Sequence, residues 1–571
     1  MACPAWCLFG PCQSHLQHIA APRRRLVGDA LEQTTLSGLL LEHIESLGSN
    51  TIFLVPGANI SSFVSQVQSR KTIDLVIANH ELAAGFMAIG YAKATGKPGI
   101  ACSIGSVGIA YMIGAAATAA AEQIPLLFVS GNIPRDSWGK GFFQDGSPQG
   151  TNDVALLEQA IGCSCTCSDA GMIDDLLALI TERLRSKRPA HIQLTIDVQS
   201  AFCGERRRNG STVPRNQAGL RSLPPTADLH KKTLVLIGHE AADGIDPLLL
   251  QRALARHAFG VVTDIKSRGV LDECCANSLG YVGFNSSRSA LSALAVDHPL
   301  AADQLVQIGF PTTMYARYAG HFMPSTTIDA GAVNAWLQEL VDGNGGSSPG
   351  YADTNMQWLR ELRELSSYSP ILREIEGRLL YSQIVNACQR LLPADTIYCL
   401  DSGQIRRAGN MMIKARNRQT IIQSDTLSPM GMGICAAIGA KAALPDRPVV
   451  ALFGDGSMRM HGMELATAQR YRLPIIFILC DNQCLASTPG NDALKKLSSV
   501  RWDNFAGAFG VKTYLSVDDE AFTRNLLVAM TSPEPTLLWT RVPDLLDDEV
   551  NIVASASDKT WLNRFQKGQR S

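Results

Sequence analysis

Residues 449–484, VVALFGDGSMRMHGMELATAQRYRLPIIFILCDNQC, contain two apolar runs separated by a helical pattern. The first run, VVALF, leads into Gly454-Asp455-Gly456, and the second, IIFILC, leads into Asp481-Asn482. Short runs that are apolar on both faces are typical of strands in parallel sheets, whose two faces are covered by helices. This stretch therefore predicts an α/β fold.

The same alternation of apolar runs and helical patterns extends along the rest of the chain. Seven more runs read as buried strands, namely TIFLV, PLLFV, HIQLTI, TLVLIG, QLVQIGF, TIYCL and TLLWTRV. Two loop-like stretches rich in Gly, Pro, Ser and Asn, 206–226 and 342–355, interrupt the pattern. We therefore predict three doubly wound parallel-sheet domains, at 30–205, 227–340 and 370–550, after a disordered or extra segment at 1–29.

Composition excludes several classes of function. The 571 residues carry a net charge of −1, which argues against a nucleic-acid partner or a membrane surface. No apolar run approaches the roughly 18 residues of a membrane span. Fifteen cysteines without a repeated spacing indicate reduced thiols in a cytoplasmic protein rather than a disulfide framework. The first 27 residues lack acids and contain three consecutive arginines, so a transit peptide is an alternative to a disordered or misassigned start.

The tightest cysteine group is Cys163-Ser-Cys165-Thr-Cys167. Alternation with period two would place the three sulfurs on one face of a strand. A metal site or a redox relay is one interpretation, and buried thiols that fill a core are the favoured one.

The Gly-Asp-Gly turn at 454–456 has the composition of a cation and anion site. In an open parallel sheet, ligands bind beyond the carboxyl ends of the strands, and Asp455 and Asn482 each follow such an end. The segment after Ser457 can present a helix N-terminus to phosphate oxygens. Carboxylate, amide and backbone oxygens suit Mg²⁺, and we expect Cys484 to supply the backbone carbonyl. A plain tight turn is the alternative for the glycine pair alone.

The motif GDGS…MELATA…LP…DN resembles the cofactor motif of thiamine-diphosphate-dependent enzymes, and SPMGMGICAAIGAKAALPD at 428–446 resembles the matching stretch of acetolactate synthases. The resemblance implies thiamine diphosphate held through Mg²⁺. It also implies that Met430 wedges beneath the thiamine, where core filling is the alternative role. The residues that it implies for cofactor binding are Gly57, Gly403, Gln404, Met430, Gly454, Asp455, Gly456, Ser457 and Asn482, with Asp455, Asn482 and Cys484 at the metal.

A second resemblance lies in the first block, where ANHELAAGFMAIGYAKATGKPG at 78–99 is similar to the family's stretch around its catalytic glutamate. It places Glu81 in that role, although a first-turn glutamate is ordinarily a favourable helix charge. The segment GFFQDG at 141–146 is similar to the acetolactate-synthase segment near the reacting carbons, which gives Gln144 a catalytic role.

The resemblance implies a reaction on a small 2-oxo acid, which is decarboxylated before the enamine is transferred to a second carbonyl compound. The 11 histidines include no adjacent pair of the kind that dedicated decarboxylases use, so carboligation is favoured over release of an aldehyde. The family pairs Glu81 of one subunit with Asp455 of another, which implies a homodimer or homotetramer with active sites at the subunit interface. The middle block lacks a glycine fingerprint, so FAD is not expected.

The sequence also departs from the family. The run CSIGSVGIA at 102–110 lacks the usual proline and final asparagine, and the stretch after Asn482 lacks the segment that shapes the acceptor site of acetolactate synthases. A non-catalytic paralogue would have lost Glu81 or the Gly-Asp-Gly set, which this chain keeps. An NAD-dependent dehydrogenase would need a complete GxGxxG, which SIGSVG at 103–108 only partly imitates.

Overall fold

Three parallel sheets, each formed by one block of the chain, make up the fold. The computed structural model describes residues 34–203, 231–310, 325–343, 349–366, 377–485 and 492–543. The predicted N-terminal segment and the loop-like stretch 206–226 lie outside these ranges. The predicted class, three doubly wound parallel-sheet α/β domains, is confirmed.

The first sheet has the strand order β2-β1-β3-β4-β6-β5, and all of its pairs are parallel. Its strands are β1 (Thr51–Leu54), β2 (Asp74–Ile77), β3 (Gly99–Ile104), β4 (Leu126–Asn132), β5 (Ser164–Cys167) and β6 (Ala190–Thr195). Its helices are α1 (Leu36–Ser46), α2 (Ser61–Ser69), α3 (Glu81–Thr95), α4 (Val107–Glu122), α5 (Asp153–Ile161), α6 (Ile173–Arg185) and α7 (Ile196–Gln199).

The middle sheet has a different order, β11-β10-β7-β8-β9. Its strands are β7 (Thr233–Ile237), β8 (Gly260–Asp264), β9 (Ser278–Val282), β10 (Gln304–Ile308) and β11 (Ser325–Ile328). The helices of this block are α8 (Pro247–Arg256), α9 (Arg288–Leu294), α10 (Val333–Asp342) and α11 (Pro349–Glu364).

The third sheet, β13-β12-β14-β15-β17-β16, repeats the order of the first. Its strands are β12 (Ile397–Leu400), β13 (Ile421–Ile422), β14 (Val449–Gly454), β15 (Ile475–Asp481), β16 (Lys512–Ser516) and β17 (Thr536–Arg541). Its helices are α12 (Tyr381–Leu391), α13 (Gln404–Met412), α14 (Met432–Ala443), α15 (Asp455–His461), α16 (Glu464–Arg470), α17 (Asp492–Lys495), α18 (Trp502–Gly507) and α19 (Asp519–Met530). Single 3₁₀ turns occur at Ala58–Ile60, Arg135–Ser137, Ala170–Met172, Ile265–Ser267 and Ala330–Ala332.

All nine apolar runs form strands, but eight further strands of the described chain, among them the buried interior strands β3 and β8, were not included in those runs. The edge strands β11 and β16 expose part of their side chains to solvent and carry polar residues among the apolar ones. The loop predicted at 342–355 was wrong in its second half, because α11 begins at Pro349. Proline is favoured in the first turn of a helix, where its missing N–H has no partner to lose.

The Cys163–Cys167 group lies at and along β5, as predicted. Cys163 and Cys167 are buried in one hydrophobic cluster and Cys165 packs against it. Burial raises the pKa of the Cys165 thiol to about 12 and that of Cys167 to about 11. In the part of the chain that the structure describes, no group of three His, Cys, Asp or Glu residues could hold a metal ion. The thiols therefore fill a core, which was the favoured interpretation.

The first and third domains meet through α3 and α14, which run antiparallel. A Cβ atom on Gly90 would lie 2.1 Å from the carbonyl oxygen of Ala436, so the two backbones are in direct contact. Most residues of both helices are buried in one cluster shared by the two domains. Among the described helices, none has the length and apolar character needed to cross a membrane.

Candidate cofactor site

A cavity of about 160 Å³ opens at the carboxyl ends of β12, β14 and β15. Parallel strands bring their carboxyl ends to one edge of the sheet, and the strand order changes direction between β12 and β14. The predicted residues that line this cavity are Gly403, Gln404, Met430, Gly454, Asp455, Gly456, Ser457, Asn482 and Cys484. Nine of the residues singled out from the sequence thus share one cavity.

Asp455 is the first residue of α15. The sequence predicted that this helix would begin after Ser457, so the helix begins earlier than predicted. The Asp455 side chain is buried, and its Oδ2 atom has no hydrogen-bond partner within the described residues. Burial, together with the nearby Asp481 carboxylate, raises the pKa of Asp455 to about 7. A buried carboxylate oxygen without a donor is costly unless a cation or another donor meets it.

Asn482 follows the last residue of β15, which pairs with β14, the strand that ends just before Asp455. Its Oδ1 atom accepts a hydrogen bond of 3.0 Å from the backbone N–H of Cys484. This bond closes a tight turn that holds the Asn482 and Cys484 backbones at the cavity. Amide and backbone oxygens of this turn, together with the Asp455 carboxylate, form a hard-oxygen donor set of the kind that Mg²⁺ prefers.

Gly403 and Gln404, at the start of α13, line the cavity at the end of β12. Gly403 has a φ of +129°, a conformation that side chains rarely adopt. Gln404 is buried, and its Nε2 donor has no hydrogen-bond partner among the residues described. The cavity thus contains an unsatisfied donor and an unsatisfied acceptor.

The Gly456 position keeps the cavity open. A Cβ atom there would lie 3.0 Å from Leu485 Cδ2 and 3.6 Å from Met430 Sδ. Met430 is half-buried and lines the cavity next to the Gly454–Gly456 turn.

Asp401 organises the cavity, and the sequence analysis missed it. This fully buried carboxylate accepts hydrogen bonds from the backbone N–H groups of Gly431 (2.9 Å) and Gly433 (2.7 Å) and from the Ser457 hydroxyl (2.6 Å). The Ser457 hydroxyl therefore donates to Asp401, although Ser457 lines the cavity. The signal that could have found Asp401 is its place directly after a buried strand, in the same DSGQ segment that supplied Gly403 and Gln404.

The other three predicted residues lie at the carboxyl edge of the first sheet. Glu81 begins α3 after β2, Gly57 follows β1, and Gln144 lies in the loop after β4 with a left-handed φ of +59°. None of the three lines the third-domain cavity. Glu81 is half-buried, and its side chain has no hydrogen-bond partner within the described part of the chain.

Gly57 needs its small size, because a Cβ atom there would lie 2.3 Å from Ile104 Cγ2. Next to Gln144, the rings of Phe142 and Phe143 are 56% and 83% exposed. Two exposed phenylalanines beside a predicted site residue leave apolar surface uncovered in the single chain.

Two histidines that are distant from each other in sequence meet at the start of α3, where His80 precedes Glu81. The rings of His80 and His461 are 6.4 Å apart, and His461 also contacts Phe86. Burial, reinforced by His80, lowers the pKa of His461 to about 4, so it is neutral at physiological pH.

Comparisons with known proteins agree with this geometry. The family described as "Thiamine pyrophosphate enzyme, N-terminal TPP binding domain" matches residues 34–152. The family described as "Thiamine pyrophosphate enzyme, C-terminal TPP binding domain" matches residues 401–539. The two matches contain Glu81 and Asp455, respectively.

Curated relatives cover most of the chain at modest identity. The acetolactate synthase large subunit of Parasynechococcus marenigrum is 25% identical over 89% of this chain and 88% of its own length. A probable 2-ketoarginine decarboxylase of Pseudomonas aeruginosa is 27% identical over 79% of this chain and 82% of its own length. A putative thiamine pyrophosphate-containing protein of Bacillus subtilis is 24% identical over 88% of this chain and 91% of its own length. The chain thus carries, within its three parallel-sheet domains, regions that match the N-terminal and the C-terminal TPP binding domains of thiamine pyrophosphate enzymes.

Proposed function

We propose that the protein is a thiamine-diphosphate- and Mg²⁺-dependent enzyme that decarboxylates a small 2-oxo acid and joins the remaining fragment to a second carbonyl compound. The observation that carries the proposal is the buried, unpartnered Oδ2 atom of Asp455 in a cavity that is also lined by Gln404, whose Nε2 donor is unpartnered among the described residues. A divalent cation on the first atom and a diphosphate oxygen on the second would satisfy both.

In this proposal, Asp455, Asn482 and the Cys484 carbonyl bind the metal. The glycines at 403, 454 and 456 leave room for the diphosphate, and Met430 supports the organic part of the cofactor. Bound thiamine diphosphate supplies the carbon nucleophile that adds to the 2-oxo acid. The chain provides an ordered cavity for it, since Asp401 ties the segments of Met430 and Ser457 to the end of β12.

We assign Glu81 the role of holding a proton at N1′ of the aminopyrimidine. Because Glu81 lies outside the cavity of its own chain, the proposal includes a homodimer or homotetramer in which a partner subunit supplies it. The exposed Phe142 and Phe143 give the first domain apolar surface for such an interface. We further propose domains at 30–205, 227–340 and 370–550 and a cytoplasmic location.

Joining of carbons is supported by Gln144, whose amide can donate a hydrogen bond to a substrate oxygen without delivering a proton. Release of a free aldehyde is the second candidate. It is supported by the relative named as a probable 2-ketoarginine decarboxylase and by the pair His80 and His461, which could manage protons near Glu81.

Mass spectrometry of the products distinguishes the two candidates. Purified protein is freed of cofactor, reloaded with thiamine diphosphate and Mg²⁺, and given a panel of 2-oxo acids with and without aldehyde or ketone acceptors. We expect 2-hydroxyketone products. Stoichiometric aldehyde with every acceptor would replace carboligation by decarboxylation, and turnover without added cofactor would overturn the proposal as a whole.

A further inference from the structure

The turn that leads into Glu81 is held by the third domain of the same chain. The backbone N–H of Ile77 donates to the Tyr471 hydroxyl at 2.8 Å. The backbone N–H of Asn79 donates to Glu464 Oε1 at 3.1 Å. Donors on both sides of Ala78 are therefore paired with residues that lie nearly 400 positions further along the chain.

Glu464 is placed for this contact by its position at the start of α16. It is 1% exposed. Its Oε2 atom also accepts hydrogen bonds from the Thr467 hydroxyl at 2.6 Å and from Asn79 Nδ2 at 3.4 Å. All of these partners are neutral donors, and burial raises the pKa of Glu464 despite them. A buried carboxylate that accepts a main-chain N–H from another domain holds that domain's backbone in place.

The fixed backbone is the one that sets the direction of Glu81. Ala78 continues the register of the sheet through its N–H bond to the Leu54 carbonyl at 2.9 Å, and α3 begins three residues later. The His80 side chain caps the helix by accepting the Leu82 N–H at 3.1 Å. Between the sheet and this cap, the main-chain N–H of Asn79 is held by Glu464.

We infer that Glu464 is a positioning residue for Glu81: it holds the 78–80 turn so that the Glu81 carboxylate meets the cofactor of the neighbouring subunit in the correct orientation. The inference rests on the proposed function, because it assigns Glu464 an effect only through Glu81. The inference also connects the Asp455 site with the Glu81 turn within one chain, since Asp455 and Glu464 begin the consecutive helices α15 and α16.

The test compares Glu464→Gln with Glu464→Asp and with Glu520→Gln. Glutamine replaces one carboxylate oxygen by an NH₂ group, which cannot accept a hydrogen bond from Asn79, whereas aspartate keeps the charge but is one methylene group shorter. Glu520 lies in the first turn of α19 with an exposed side chain, so its variant is a matched control. The measurements are exchange of the C2 proton of bound thiamine diphosphate across pH, the Kd of the cofactor, and amide hydrogen exchange of the cofactor-free protein.

We expect Glu464→Gln to slow C2 proton exchange by about 10- to 100-fold, the range for a misplaced catalytic group, and to shift its pH profile. The Kd should change far less, and the amides of residues 79–84 should exchange faster in the absence of cofactor. Glu464→Asp should recover part of the exchange rate. If Glu464→Gln does not fold, Glu464→Asp is the variant that tests the inference. Glu520→Gln should match the wild type.

Two results would overturn the inference and remain distinguishable. If Glu81→Gln slows C2 proton exchange but the Glu464 variants do not, Glu464 is merely structural and the proposed function stands. If Glu81→Gln itself has no effect, the role of Glu81 fails, and the positioning role of Glu464 fails with it.

Discussion

Gly439 and Met87 are in close backbone contact between the third and the first domain: a Cβ atom on Gly439 would lie 1.8 Å from the Met87 carbonyl oxygen. The contact lies between α3, which begins at Glu81, and α14, which follows Met430. Because backbone meets backbone, the helices cannot adjust by changing a rotamer. Their spacing therefore fixes the relative position of the two site-bearing domains.

Gly439→Ala should therefore destabilise the protein by about 1–3 kcal/mol, the usual cost of overpacking, and lower its Tm. Gly507→Ala is the matched control, since nothing lies within 4 Å of a Cβ atom there. That variant should be neutral or slightly stabilising because alanine favours helices. Equal Tm values for the two variants would show that the α3–α14 contact yields easily.

Asp455→Ala should abolish retention of thiamine diphosphate, because the Mg²⁺ ion would lose its only charged protein ligand. Removal of the metal from the wild type with EDTA should have the same effect. Cofactor content after gel filtration measures both. Asp519→Ala, which removes an exposed first-turn carboxylate from α19, should retain the cofactor. A D455A protein that retains as much cofactor as the wild type would refute the metal assignment.

Glu81→Gln should slow exchange of the cofactor C2 proton by at least about 10²-fold, the lower end of general acid–base contributions, because an amide cannot hold the proton at N1′. Its effect on cofactor binding should be small, since Glu81 does not line the diphosphate cavity. Quenched-flow NMR measures the exchange, and an unaltered rate would remove Glu81 from the mechanism.

Gln144→Ala should reduce product formation more than cofactor binding and raise the share of free aldehyde. Without the amide, an acceptor is held less well and loses the competition with protonation by solvent. The ratio of aldehyde to 2-hydroxyketone measures the effect, with Gln149→Ala on the same loop as the control. An unchanged ratio would argue against a role in acceptor positioning.

Acid should destabilise the first domain through His191. This buried imidazole lies 2.8 Å from the Ser130 hydroxyl and 2.7 Å from the Ser164 hydroxyl. Burial lowers its pKa to about 3 from an ordinary value of 6.5. At pH values between these two pKa values, His191 is protonated in the unfolded chain but not in the folded one. The free energy of unfolding therefore falls as the pH falls below 6.5, by about 1.4 kcal/mol per pH unit.

The free energy of unfolding in urea should accordingly drop by about 2 kcal/mol from pH 7 to pH 5 through this group alone. His191→Gln cannot titrate, so its stability should depend less on pH over the same interval. Identical slopes for the two proteins would mean that His191 is protonated within the fold.

The sequence alone determined the fold class and pointed to nine residues that line one cavity. Apolar runs on both faces of a strand can only be buried in covered parallel sheets, and parallel strands bring their carboxyl ends to one edge. Asp455 and Asn482 could therefore be placed together from their positions after consecutive strands. Glu81 and Gln144 were identified by resemblance to the family, and their roles stay predictions.

Only the tertiary structure showed the contacts that hold the site in place. Asp401 accepts donors from residues 30 to 56 positions away, and Glu464 accepts the N–H of Asn79 across 385 positions. Nothing in the local sequence around either carboxylate indicates those partners. They are created by burial and by contacts between segments that lie far apart in the chain. Edge strands such as β16 were missed because solvent on one side removes the apolar pattern by which buried strands are recognised. Local periodicity reports how each segment is buried, whereas the partner of a buried polar group is decided by which distant segments the fold brings into contact.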